Sequence, residues 1–270
     1  MTYNIQIIPA IENRYIDEKL YKPIAQAKYK QFMNNIDDFI LKLNTLLKLN
    51  DELYCFLYDG LCMNINQDFL NFKTLTKNEY DEILEDTMLE IADNYEQKER
   101  KLTNEEETNL ETIFSFFLQA LKNYNSILNA NLGSEGKMRG LLMEALAVSI
   151  FGTTNEFKEN FFVWDFNAIE NRKLIQKKKR ETADIYYEKK GNSHICEIKC
   201  RPNGVDETQI DFIKLTKSRL IEVEELALNN VILHGGTAED YNFERVGYKE
   251  KLEDFIIYPK ENIKELLKKI

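Results

Sequence analysis

The amino-acid sequence predicts an α/β protein, with a helical N-terminal part over residues 1–130 and a central mixed sheet flanked by helices over 131–270. Three observations carry that division. Residues 17 to about 130 keep apolar side chains at helical spacing and contain two Thr-x-x-Glu helix starts. From Ser134 onward, short aromatic and β-branched runs alternate with amphipathic ones, the pattern of strands and helices in one layered fold. Charge is uneven as well. Of 36 basic and 46 acidic residues, 23 and 24 fall on 131–270, which leaves 13 and 22, a net −9, on residues 1–130.

In the first part, FILKLNTLLKL (39–49) has a helical stripe of apolar residues. Thr76 and Glu79 are a capping-box pair, each side chain satisfying the other residue's backbone donor, and Thr103 and Glu106 repeat it ahead of LETIFSFFLQALKNYNSIL. The charge run between them, YEQKERKLTNEEE, reads as a solvated helix end or loop. This part has no His, no phosphate-cradling Gly loop and no nucleophile motif, so support, dimerisation or target contact is expected of it.

The second part opens with SEGKMRGLLMEALAVSIFG, one helix with Ser134 as N-cap and Gly152 as its stop. NFFVWDF (160–166) reads as a strand. ADIYYE and HICEIKC form two more around the turn KKGNS. DETQIDFIKLTKSRLIEVEELALNN is expected as a long helix opened by Asp206 and Gln209 at capping-box spacing. NVILHGG and DFIIYP follow as strands, and KENIKELLKKI as a closing amphipathic helix.

Composition excludes several classes. Hydrophobic residues at 43% and charged residues at 30% suit a globular chain, and four prolines and ten glycines leave little for disordered linkers. No apolar run approaches the roughly 18 residues of a membrane-spanning helix. MTYNIQIIPAIENRY lacks the basic-then-apolar order of a signal peptide, so a cytoplasmic location without a membrane partner is expected. Cys55, Cys62, Cys196 and Cys200 are then expected as reduced, small buried hydrophobes. His194, Cys196 and Cys200 share one strand face over about 20 Å, too spread for a single tetrahedral ion. A net charge of −10 argues against a surface that coats nucleic acid broadly.

The chemistry concentrates in ADIYYEKKGNSHICEIKC. Strand alternation points Glu197 and Lys199 one way and Ile198 the other, and the hairpin brings Asp184 alongside. Glu144 is the only charged residue between Arg139 and Glu156, on a helix apolar nearly all round. Burying a lone carboxylate costs several kcal/mol (about 2–7 for polar groups, more for ions) unless it is paired or bound to metal. Asp184, Glu197 and Glu144 thus offer hard oxygen ligands of the kind Mg²⁺ takes while keeping several waters. A metal-bound water beside the Lys199 ammonium suits attack on a phosphodiester, with Lys199 orienting or deprotonating the water or stabilising the phosphorane.

This arrangement, Asp-x₁₂-Glu-x-Lys with an acidic residue on the preceding helix, resembles the PD-(D/E)xK nuclease superfamily, which includes many type II restriction endonucleases. The resemblance covers roughly residues 134 to 235 and rests on Asp184, Glu197, Lys199 and Glu144. Ala183 stands where the family has its proline, and Gln209 resembles a polar position on the helix after the motif. It implies a restriction-endonuclease-like core, Mg²⁺ as cofactor with Mn²⁺ as substitute, and double-stranded DNA as substrate. It also implies a homodimer that cuts both strands and a role in restriction or related phage defence. Alternatives are a structure-selective or repair nuclease acting on DNA or RNA, and a catalytically inactive nucleic-acid-binding or protein-interaction module of the same fold.

Beside this motif, the basic run Lys177, Lys178, Lys179 and Arg180 is expected to neutralise phosphates, although such a run alone reads as a solvated loop. Phe161, Phe162 and Trp164 are expected in the core, with stacking on bases as the alternative.

Overall fold

Capping explains where the long helices begin. In the computed structural model, which describes residues 5–9, 23–68, 76–130, 134–152, 161–175, 182–189, 192–201, 204–224, 227–242 and 250–270, four helices follow a short strand at the start. They are α1 (Pro23–Leu49), α2 (Asp51–Met63), α3 (Lys77–Lys98) and α4 (Asn104–Leu128). Asn50 caps α2, accepting the Leu53 N–H at 3.0 Å. Thr76–Glu79 and Thr103–Glu106 both form complete capping boxes at the starts of α3 and α4. The charge run between these two helices is not wholly solvated. Glu106 is 2% exposed and accepts from Arg100, Thr103 and Asn50, which joins the ends of three helices.

α1 and α4 pack through their apolar stripes. Phe39 lies against Phe117 with ring centroids 5.3 Å apart, and Phe32 meets Tyr124 edge-on at 5.0 Å. Truncating such a buried aromatic to Ala costs about 3–5 kcal/mol. α5 (Glu135–Phe151) starts at Ser134, which accepts the Lys137 N–H, and stops at Gly152, whose φ of 121° favours a residue without Cβ. Every residue of α5 from Leu141 to Phe151 is buried, because the helix lies between α1 and the sheet. That position accounts for a sequence apolar on all sides.

Among the described residues the sheet has seven strands. β1 (Ile5–Pro9), β2 (Phe161–Glu170), β4 (Ala183–Lys189), β5 (Asn192–Lys199), β6 (Leu228–His234) and β7 (Phe255–Pro259) run in that spatial order, and β3 (Lys173–Leu174) pairs with β2. Pairing is antiparallel from β1 to β5, then parallel across β5–β6 and β6–β7. The sheet is therefore mixed. α6 (Glu207–Glu224) makes the crossover that a parallel β5–β6 pair requires. One sheet face, with Ile185, Cys196, Ile198 and Val231, joins α1, α4 and α5 in a single buried cluster. The other face, with Tyr186, Ile195 and Ile232, packs against Phe212 and Ile213 of α6.

Several sequence expectations change. α6 ends at Glu224, and Leu228–Asn230, expected as helix, already belong to β6. Asp206 caps α6 through the N–H and hydroxyl of Thr208, both at 2.7 Å, in place of a reciprocal box with Gln209. The C-terminal helix is short: a 3₁₀ turn over Lys260–Asn262 leads into α8 (Ile263–Leu267). Lys260 and Lys264 there pair with Asp59 and Glu52 of α2. α7 (Ala238–Asn242) is one further short helix. Strand β1 pairs with β2 from Ile5↔Glu170 to Pro9↔Phe166, so the sheet takes an edge from the first residues of the chain.

Candidate active site

The candidate site forms where the antiparallel ladders loosen. β4 and β5 stay in register from Lys189↔Asn192 to Ile185↔Cys196. Extending that register by one step sets Asp184 opposite Glu197. There the Asp184 Oδ2 accepts the Ile198 N–H at 2.7 Å, so a side chain takes a backbone donor that a longer ladder would use. On the far side of β4, Trp164↔Ile185 and Phe166↔Ala183 bracket Asp165, whose φ is 53°. A left-handed Asp is uncommon and more readily tolerated than most non-glycine residues.

The opening is lined by buried acids. Asp184 is 0% exposed, Glu197 1% and Glu144 3%. The Lys199 ammonium hydrogen-bonds the Glu197 carboxylate and stands 3.8 Å from Asp184 Oδ2. Burial opposes its charge most strongly, but Glu197, Asp184 and, more weakly, Glu144 together hold its pKa well above the usual lysine range. Lys199 is therefore an ammonium at neutral pH. Glu144 reaches the site from α5 and accepts the Trp164 indole N–H at 2.9 Å, and its charge is felt by Lys199 and Cys200.

The structure thus brings Asp184, Glu197 and Lys199 into contact and sets Glu144 within electrostatic reach of them. Gln209 lies half-buried in the first turn of α6. Lys177, Lys178, Lys179 and Arg180 lie outside the described residues. Phe162 and Trp164 pack against the larger buried cluster.

Burial raises the Cys196 thiol well above its ordinary value, aided by Asp184 and Glu197. It pushes Cys200 up to about 11, opposed by Arg139 and aided by Glu144. Without a metal both are thiols at neutral pH and poor nucleophiles. His194 is buried between Phe151 and Tyr187, with burial and then Lys269 lowering its pKa, and its ring lies 6.2 Å from that of Tyr187.

Among the described residues, no three His, Cys, Asp or Glu side chains come close enough to form a metal cage made wholly of protein. Mg²⁺ does not require one, since it binds through one or two carboxylates and keeps several waters. Asp184 and Glu197, two buried hard-oxygen donors on adjacent strands, fit that ion, and Glu144 adds negative charge felt at Lys199. Asp184 and Glu197 against one ammonium, with the charge of Glu144 felt there more weakly, are a negative excess that a divalent cation would balance; Arg139, acting on Cys200, offsets part of it.

Several neighbours of the site were not apparent from sequence. Asp165 is 3% exposed, and its place inside the aromatic run FFVWDF was the available signal. His234 is paired with Lys199 in the register and is fully buried. Burial pushes its imidazole down to about 4, against the pull of Glu261 and Asp240. Asn66, from the helical part, reaches the same end of the sheet by hydrogen-bonding the Gly235 carbonyl. No local pattern marks that contact, which joins residues 169 apart. Comparison with protein-family models, with curated proteins and with solved structures finds no match to this chain.

Proposed function

We propose that this protein is a Mg²⁺-dependent endonuclease of the PD-(D/E)xK type that hydrolyses phosphodiester bonds in double-stranded DNA. The observation that carries the reading is the pair of buried carboxylates, Asp184 and Glu197, set on adjacent strands around the Lys199 ammonium where the β4–β5 ladder opens. A purely structural ion pair is satisfied by one carboxylate, and burying more acids than cations is costly. The order α5, β2, β4, β5, α6, β6, with an acid on α5, supports a restriction-endonuclease-like core.

In this reading Asp184 and Glu197 hold the ion, and Glu144 contributes to its surroundings. Bound there, Mg²⁺ supplies Lewis-acid stabilisation and a water of lowered pKa. Lys199 is protonated, so its part is to donate a hydrogen bond and place positive charge against the phosphate as negative charge develops. The run Lys177–Arg180 supplies phosphate contacts that position the duplex without reading its bases. A homodimer brings two such sites to the two strands, in keeping with restriction or phage defence.

Incubation of the purified protein with plasmid DNA in Mg²⁺ or Mn²⁺, followed by sequencing of the ends, tests the reading. Discrete fragments with a common end sequence indicate a type II activity. Cleavage confined to branched, damaged or RNA substrates indicates the structure-selective alternative. Binding without cleavage in either metal, on any of these substrates, rejects the enzyme and leaves an inactive module of the same fold.

A further inference from the structure

α2 does not end cleanly. It runs on as a π-helical turn over Asn64–Asp68, a geometry that shifts a side chain out of helical register and often occurs at functional sites. Asn66, in this turn, is 8% exposed. Its Nδ2 donates to the Gly235 carbonyl at 2.9 Å, and its own carbonyl accepts from the Arg201 guanidinium at 3.0 Å. Gly235 in turn donates its N–H to the Lys199 carbonyl at 3.0 Å. A turn of the helical part is thereby bonded to both strand ends that flank Lys199.

Packing at this junction is tight. A Cβ on Gly235 would lie 2.6 Å from Asn66 Nδ2, 3.0 Å from Met143 Cε and 3.1 Å from the Cys200 carbonyl oxygen. Met143 is the neighbour of Glu144, so α5, β5, β6 and the π turn all meet at one glycine. The Asn66 amide is also costly to keep. Among the described residues its buried Oδ1 has no hydrogen-bond partner, and flipping the amide would turn that oxygen against the Gly235 carbonyl. Space-filling alone would be met more cheaply by an apolar side chain.

We propose that Asn66 is a positioning residue, which through Gly235 fixes the end of β5 and with it the Lys199 side chain relative to Asp184 and Glu197. The helical part is then a working component of the site as well as its support. The inference rests on the nuclease reading for its chemistry, whereas the tether is a property of the fold and is measured separately.

The test compares wild type with Asn66→Ala by amide hydrogen exchange, by binding to a DNA duplex in Ca²⁺ and by single-turnover cleavage in Mg²⁺. Exchange at Gly235 and at residues 199–201 should quicken about tenfold while the rest of the sheet is unchanged. Cleavage per folded molecule should fall about tenfold or more with affinity within about threefold, the split expected when only transition-state geometry suffers. Gly235→Ala disturbs the same junction from the other side and carries the same readouts if Asn66→Ala fails to fold. With both substitutions the loss should be less than the product of the two, because they break one contact. Unchanged exchange overturns the inference, and so does quickened exchange with an unchanged cleavage rate. If wild type cleaves nothing, the nuclease reading falls, and quickened local exchange still supports the tether.

Discussion

The Asp184 carboxylate accepts the Ile198 N–H at 2.7 Å, so the first acid of the site is held by the strand that bears the other two residues. Asp184→Asn keeps an oxygen acceptor for that N–H and removes the charge. We therefore expect Asp184→Asn, and likewise Glu197→Gln, to fold normally and to lose cleavage. Activity within about tenfold of wild type in either variant would remove these carboxylates from the catalytic site. Asp184→Ala should differ by also losing about 1–3 kcal/mol of stability, since a buried N–H loses its acceptor. Urea unfolding of the two Asp184 variants measures that difference.

Lys199→Ala should slow cleavage by orders of magnitude and leave DNA binding in Ca²⁺ nearly intact, because its charge is needed most in the transition state. An equal loss of binding and rate would make Lys199 an ordinary phosphate contact. Lys199→Arg should not restore the rate, as a planar guanidinium does not substitute for a compact ammonium between two carboxylates.

Trp164 is the only tryptophan in the chain, and its indole N–H is bonded to Glu144. Its fluorescence therefore reports on the site without any substrate. Titration with Mn²⁺, a paramagnetic quencher, should lower the emission in wild type and not in the Asp184→Asn/Glu197→Gln double variant. Equal quenching in both would place the ion elsewhere.

His234 sets an acid limit on stability. Its folded pKa, about 4, lies below the ordinary histidine value of 6.5, so the unfolded chain takes up a proton first as pH falls. The neutral ring's contribution is complete above pH 6.5 and is lost as pH falls to about 4, with a total of about 3 kcal/mol. Unfolding midpoints for wild type and His234→Asn across that window should converge towards low pH. His194, lowered in the same direction, leaves a residual slope in the variant.

Much of this architecture was legible because it is local. Ser134 and Gly152 bounded α5, Thr76 and Thr103 opened α3 and α4, and a lone Glu144 in an apolar helix signalled a buried acid. The pairing of the Asp184 and Lys199 strands was readable from their alternation and from the Gly-Asn in the sequence between them. What escaped depends on distant partners. Asp165 takes its φ from the loosening of two ladders, and Asn66 acquires its meaning from Gly235. Leu228–Asn230 continue a helical pattern yet become strand because β5 supplies a ladder partner for each of them, joined by β7 at Asn230. Helical periodicity could not weigh that competition.

Strand β1 has a consequence for the order of folding. Ile5 pairs with Glu170 and Pro9 with Phe166, so this strand waits for more than 150 further residues of chain before its partner exists. The helices between them make contacts that close over shorter loops and are available sooner. β2 therefore presents an open edge until β1 returns to it, and an open edge is a template for pairing with another chain. Substitutions that weaken β1 should thus reduce the yield of soluble protein during synthesis while leaving the carboxylates, and the activity of each molecule that does fold, untouched.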